Sequence, residues 1–374
     1  MTRTSITRRS LLCGVAALPL AACGGVPDLM IVPEAADIGT AETVFVATNR
    51  VFADGAFQAA RQETLSFTEF TVEIPPDRET GAVEPARPGR RRGPDLQTEF
   101  VASSGNHLGS REGFRAALRA EARRAGVNEA MIFIHGFAST IGTGLYRTAQ
   151  IRYDFQIPGI AVHYAWPSAG NPLGYAYDRD SSLFARDGLE QLITDIQAAG
   201  LNVVLTAHSL GSSVVMEVLR QLRIGGRTGT LDRINGVILF SPDVDVDVFR
   251  SQAERIGELP QPFVIFTSQR DQALRLSARI TGQAERVGNL AIPDALGEFE
   301  ITIIDVSAFS GGVRDTFNHF AGASSPAVVQ ILNDAAGVNN SFERSTTQRP
   351  GILPGTILTI QNATQIMLSP ITAN

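Results

Sequence analysis

Through the middle of the chain, short apolar runs alternate with longer stretches in which apolar residues recur every third or fourth position. Ala130-Met-Ile-Phe-Ile134, Gly159 to Trp166, Asn202 to Ala207, Ile234 to Phe240, Pro262 to Thr267 and Phe299 to Asp305 are the runs. They are apolar almost throughout, which is the pattern of strands buried on both faces rather than one. Between them, Arg111–Gly126, Thr143–Phe155, Ser181–Ala199 and the stretch carrying Val214, Val215, Val218, Leu219 and Leu222 have helical spacing. The first of these ends at a glycine, and the third starts behind Asp180 and stops at Gly200, as helix boundaries do. Strands separated by helices predict an α/β fold with a mostly parallel central sheet and helices on both faces. Upstream, Thr43–Thr48 and Leu65–Ile74 alternate as strands, the second with a half-exposed face, and Pro75–Pro94 reads as a flexible loop. No internal repeat and no second core emerge, so residues 41–335 are expected to form one domain. The tail, 336–374, is rich in Thr, Asn, Gln and Pro, with apolar patches at Ile352-Leu353 and Ile357-Leu358, and stays unassigned.

The N-terminus has a different character. Arg3, Arg8 and Arg9 precede an apolar stretch from Leu11 to Leu20 that is too short to span a membrane, so residues 1–22 read as an export signal. Thr7-Arg8-Arg9-Ser10-Leu11-Leu12 resembles a twin-arginine export pattern, and Leu20-Ala21-Ala22-Cys23 resembles a lipobox. The latter implies lipidation of Cys23 and a protein held to the cell envelope by a lipid anchor on the periplasmic side, without a membrane span. Residues 23–40 then read as a linker.

Composition narrows the chemistry. The 374 residues are 44% hydrophobic and 19% charged, enough for one large core, with a net charge of −6. No basic stripe extends beyond Arg90-Arg91-Arg92, so a nucleic-acid partner is not expected. Every basic residue is arginine. Without lysine there is no P-loop phosphate cradle, no Schiff base and no Ser–Lys dyad. The two cysteines, Cys13 and Cys23, lie at the extreme N-terminus, leaving no cysteine cluster for a metal.

One turn stands out against this background. Ala207-His-Ser-Leu-Gly211 joins a buried strand to an amphipathic helix and departs by one residue, Ala207, from the G-x-S-x-G nucleophile elbow. Ser209 is the candidate nucleophile, and it needs a base and an orienting acid. Of five histidines, His208 sits beside the serine with its ring expected to point away from the hydroxyl. His107 reads as part of an N-terminal loop, His163 lies inside a strand, and His135 opens a loop with another use. His319, in Thr316-Phe-Asn-His-Phe320 after the last strand, remains as the base. The acid belongs between Ser209 and His319 in chain order. Asp271, beyond the second strand after the elbow, is preferred to Asp243. The plain alternatives are a helix N-cap for Asp271 and a structural hydrogen bond for Asp243. The backbone N–H groups of Phe137, in Ile134-His-Gly-Phe137, and Leu210 are candidates for the oxyanion hole.

Taken with Ala165-Trp-Pro-Ser168, Ser241-Pro-Asp243, Ser268 to Leu274 and Asn318-His319, these motifs resemble bacterial α/β-hydrolases of the esterase/lipase superfamily with largely unknown substrates. The likeness extends over roughly Glu42 to Leu332. It implies an α/β-hydrolase fold and a Ser209–His319–Asp271 triad that cleaves a small or lipid-like carboxylic ester through an acyl-enzyme, without cofactor or metal. Thioester cleavage, amide cleavage and acyl transfer use the same parts, and a non-catalytic envelope lipoprotein that keeps the fold for binding is the reading from another class. Trp166–Asp180 is expected as a loop over the site, either contacting substrate or merely connecting. The short interval between Asp243 and Pro262 predicts no large lid and an accessible site.

Overall fold

The computed structural model describes residues 29–53, 56–89, 91–282, 285–290, 296–312, 315, 317–334, 355–362 and 365–370. The export segment and Cys23 lie outside them. The elements follow the order β1 (Thr40–Ala53), β2 (Ala56–Ile74), β3 (Val101–His107), α1 (Arg111–Ala125), β4 (Glu129–Ile134), α2 (Ile141–Asp154) and β5 (Ile160–Ala165). Then come α3 (Tyr175–Ala198), β6 (Asn202–His208), α4 (Gly211–Ile224), α5 (Thr228–Leu231), β7 (Ile234–Phe240), α6 (Val246–Ile256), β8 (Phe263–Thr267) and α7 (Gln272–Thr281). The last are β9 (Thr302–Asp305), α8 (Ala321–Ser324), α9 (Pro326–Asp334), β10 (Thr356–Asn362) and β11 (Gln365–Pro370).

Among the described residues the strands form one sheet in the order β11-β10-β9-β8-β7-β6-β4-β5-β1-β2-β3. From β1 to β10 the neighbours run parallel, and antiparallel pairs are confined to β1–β2, β2–β3 and β10–β11 at the flanks. The α/β-hydrolase architecture expected from the motifs is what the chain adopts.

The continuous apolar strands are explained by what lies on each side. In β4, Ala130, Ile132 and Ile134 face a core filled by α1, α3, α4 and α6, whereas Met131 and Phe133 face a second core closed by α2 and α9. Each strand residue therefore leaves water whichever way it points, and a polar position would cost its desolvation. Helix boundaries follow local chemistry. Ser110 caps α1 by accepting from Gly113 N–H, and Gly126 ends it in the left-handed conformation. Asp271 and Gly282 do the same for α7.

Several expectations need adjustment. His107 is the last residue of β3, an edge strand, and not part of a loop. From Leu29 the expected linker lies against that strand: Ile31 bridges Ala102, and Ala35 is buried with Ala86 and Val101. Helix α3 starts at Tyr175, so the connection after Trp166 is shorter than the predicted loop. The tail contributes β10, parallel to β9, and β11. Between Asp243 and Pro262 there is only α6, whose Phe249, Ala253 and Ile256 belong to the main core, so no lid is inserted there.

Because β4, β6, β7 and β8 are parallel, their C-terminal ends come out at one edge of the sheet. The residues just past those ends are His135, Ser209, Ser241 and Ser268, which puts the candidate chemistry in one place.

Candidate active site at the C-terminal edge of the sheet

Ser209 follows β6 directly and has a φ of 52°, a left-handed conformation that costs a non-glycine residue roughly 1–3 kcal/mol. Its surroundings hold it there. Ser209 N–H donates to Phe240 O at 3.0 Å, and its carbonyl accepts from Ser212 N–H at 3.0 Å and Asp243 N–H at 3.1 Å. The turn has no room for larger neighbours. A Cβ on Gly211 would lie 2.5 Å from the carbonyl oxygens of both Ile134 and His135, and one on Gly136 would lie 2.8 Å from Ser209 Cβ. Ala207 occupies the first position of the motif, fully buried near the end of β6.

His319 stands in the loop after β9. Its backbone N–H donates to Asp315 Oδ1 and that of Phe320 to Asp315 Oδ2, both at 2.8 Å, and Gln272 N–H donates to Phe317 O at 3.0 Å. The loop is thereby tied to the start of α7, where Asp271 sits. His319 Nδ1 lies 2.7 Å from Asp271 Oδ2. A carboxylate only accepts, so Nδ1 carries the proton and Nε2 is left with a free lone pair. Asp271 is fully buried, and its other oxygen accepts from Leu274 N–H at 2.9 Å. The helix cap and the histidine partner are therefore the same side chain.

Burial disfavours the imidazolium of His319, but the Asp271 charge and hydrogen bond, assisted by the charges of Asp243 and Asp315, outweigh it. The pKa is raised. His208 behaves in the opposite way: burial, then the neighbouring His319, hold its pKa well below the ordinary value and keep it neutral. Its ring does not stand apart from the site. It packs 4.6 Å from the His319 ring and 4.3 Å from Phe320, with Nε2 3.2 Å from His319 O. The residue next to the serine thus abuts the His319 imidazole, while the Ser209 hydroxyl itself forms no hydrogen bond with that ring or with any other described residue.

Asp243 is turned elsewhere. It accepts from Ser277 Oγ at 2.7 Å and Tyr175 OH at 3.1 Å, and pairs with buried Arg286 at 3.3 Å. Of the two candidate acids, Asp271 is the one bonded to the histidine. The amides of Phe137 and Leu210 form no hydrogen bond with any described residue and lie on the loops flanking Ser209. The Phe137 ring meets Tyr175 edge-on at 5.3 Å.

His135 and His163 serve the interior. The pKa of His135 is lowered to about 3, chiefly by burial and then by Arg50, and its ring stacks on Trp166 at 4.7 Å. His163 is fully buried in β5. Among the described residues, no cluster of three His, Cys, Asp or Glu side chains could hold a metal ion.

Sequence reasoning missed Asp315 and Asp178, whereas Tyr175 lay in the stretch expected over the site. Asp315 has a local signal, an aspartate four residues before the histidine whose backbone it caps. Asp178 and Tyr175 both stand in the first turn of α3, which starts earlier than expected.

Comparison with known proteins follows the same line. Residues 110–335 match the family described as alpha/beta hydrolases of unknown function, DUF900. No curated protein matches the chain. Among solved structures, the chain is similar to fungal esterases from Rhizomucor miehei, at 12% identity over 83% of this chain and 87% of that one, TM-score 0.35. It is also similar to a thermostable esterase from Pseudomonas putida ECU1011, at 10% identity over 86% and 94%, TM-score 0.35. With Aspergillus fumigatus lipase B it shares 16% identity over 38% of this chain, TM-score 0.27, and spans only 37% of that protein's length. On the strength of the family match, the chain belongs to the alpha/beta hydrolases of unknown function.

Proposed function

We propose that the protein is a serine hydrolase that cleaves a carboxylic ester through an acyl-enzyme. The observation that carries this reading is the 2.7 Å contact between His319 Nδ1 and the buried Asp271, formed beside a serine in a left-handed elbow. With Nδ1–H engaged, Nε2 is the free base that takes the Ser209 proton as the oxygen attacks the ester carbonyl. The negative charge that develops on the carbonyl oxygen is stabilised by the Phe137 and Leu210 amides. The imidazolium, steadied by Asp271, then gives its proton to the departing alcohol. Water repeats the cycle on the acyl-enzyme and restores Ser209. The reading is tested by incubating the whole protein with a fluorophosphonate probe and mapping the modified peptide, then assaying p-nitrophenyl esters of rising chain length. Modification at Ser209 with ester turnover supports it; a folded, unlabelled protein favours a binding role for the same fold.

The raised pKa of His319 sets a pH dependence. Only the neutral ring can act as base, so activity is lost as the pH falls through the pKa of the folded state. Because that pKa lies above the ordinary histidine value of about 6.5, the acid limb of kcat/KM is expected above it. A pH–rate profile with its limb below that value would show that Asp271 does not charge-stabilise the working base.

The envelope anchor is part of the same proposal. No described helix is long and apolar enough to cross a membrane, and Cys23 is the attachment point that the sequence offers. Cys23→Ser is expected to move the protein from the membrane fraction to the soluble fraction of fractionated cells. Retention in the membrane fraction would refute lipid anchoring at that residue.

A further inference from the structure

The loop between β4 and α2 carries the Phe137 amide, and its backbone is held in an unfavourable shape. Ala138 has a φ of 54°, a conformation that residues with side chains rarely adopt. What holds it comes from a distant part of the chain. Asp178, in the first turn of α3, is fully buried, and its Oδ2 accepts from Ala138 N–H at 2.9 Å. The same oxygen accepts from Ser168 Oγ at 2.6 Å, and Oδ1 accepts from Ala169 N–H at 2.6 Å. Ser168, also fully buried, accepts in turn from Ser139 N–H at 3.1 Å and Gly170 N–H at 3.2 Å. Two consecutive amides immediately after Phe137 are therefore drawn onto one carboxylate–hydroxyl pair. On the other side of Phe137, Trp166 Nε1 donates to His135 O at 2.7 Å. The candidate oxyanion amide lies between two fixed points.

A buried carboxylate whose hydrogen-bond donors are all neutral is costly to keep. Helix α3 is also seated by Ala185, Leu189, Leu192 and Ile193, which pack into the main core. We propose that Asp178, supported by Ser168, is a positioning residue: it holds Ala138 in the left-handed conformation and so aims the Phe137 N–H before substrate arrives. This inference rests on the hydrolase reading above. The Trp166–Asp180 stretch thereby acquires a role that is neither substrate contact nor simple connection. An oxyanion donor works only if its direction is set in advance, since reorienting it during the reaction would forfeit the stabilisation.

The test uses the full chain with Asp178→Asn, Asp178→Ala and the double variant Asp178→Asn/Ala138→Gly. End-point fluorophosphonate titration counts competent sites, a p-nitrophenyl ester gives kcat per titrated site and KM, and a trifluoromethyl ketone reports affinity for a tetrahedral oxyanion mimic. The expected result is a fall in kcat per titrated site of up to about 10², with KM changed by less than threefold. The ketone should weaken by the same factor as kcat. Ala138→Gly removes the side chain that makes the left-handed conformation costly, and should return at least tenfold of the loss. If Asp178→Ala does not fold, the Asn variant and its double variant decide. A kcat per titrated site within threefold of wild type, with only the number of sites reduced, would mean that Asp178 merely stabilises the fold. A loss that Ala138→Gly leaves unrecovered would overturn the proposed link through Ala138. A wild type that never labels would sink the hydrolase reading itself, before any variant is compared.

Discussion

With Ser209 replaced by alanine, fluorophosphonate labelling is expected to disappear and kcat for ester hydrolysis to fall by about 10⁶. The size follows from the arrangement: without the hydroxyl, His319 has no proton to take and no acyl-enzyme forms. Stability should barely change. Ser209 is 3% exposed and its hydroxyl makes no hydrogen bond to a described residue, so its removal strands no partner. The alanine methyl keeps the Cβ that packs against Gly136, and both residues pay a similar cost for the left-handed backbone. Thermal unfolding measured beside the kinetics separates the two effects. A Ser209→Ala protein that still turns over ester at more than a thousandth of the wild-type rate would place the nucleophile elsewhere.

The second large effect is expected from Asp271→Asn, a loss of about 10⁴ in kcat with little change in fold. An asparagine can keep its carbonyl oxygen on Leu274 N–H and so preserve the cap of α7. It then offers an amide N–H to His319 Nδ1, where an acceptor stood. The imidazole must switch tautomer, which puts its proton on Nε2 and removes the base. The acid limb should also move to lower pH, because the charge that raised the His319 pKa is gone. Asp243→Asn is expected to do the reverse. It leaves Arg286 buried without its carboxylate, costing about 3 kcal/mol of stability, while kcat per folded molecule falls far less. Kinetics normalised to titrated sites, together with denaturant unfolding, compare the two variants. If Asp243→Asn were the more damaging to kcat, the acid would have to be reassigned.

How much of this was legible depends on the range of the interactions. The parallel strands were readable because burial on both faces leaves a continuous apolar run, and α1 because Gly126 marks its end. The elbow was readable for a related reason. The close approach of Ile134 and His135 to Gly211 is a steric demand that one residue type meets. Strand β3 escaped notice because Val101-Ala-Ser-Ser-Gly-Asn-His107 is largely polar: it pairs with β2 at the sheet's edge and needs few apolar side chains. The start of α3 was misplaced because Asp180 looked like the cap. In fact α3 begins without a side-chain cap, and Asp178, inside the first turn, points into the molecule. The contacts of Asp178 with Ala138 and of Asp271 with His319 join residues far apart in the chain, and no spacing rule encodes them. The triad candidates could be named by elimination among few histidines; the brace behind the Phe137 loop could not.

The two strands contributed by the tail bear on where this molecule can be divided. β10 lies outside the family-matched segment, yet it supplies the outer hydrogen-bonding partner of Thr302–Asp305, the strand that leads into the His319 loop. A fragment ended at residue 335 would leave that strand with an open row of N–H and C=O groups, a template on which a second copy could add by strand pairing. The boundary of the family match therefore falls inside the sheet, and a fragment ended there is expected to self-associate more readily than the longer chain.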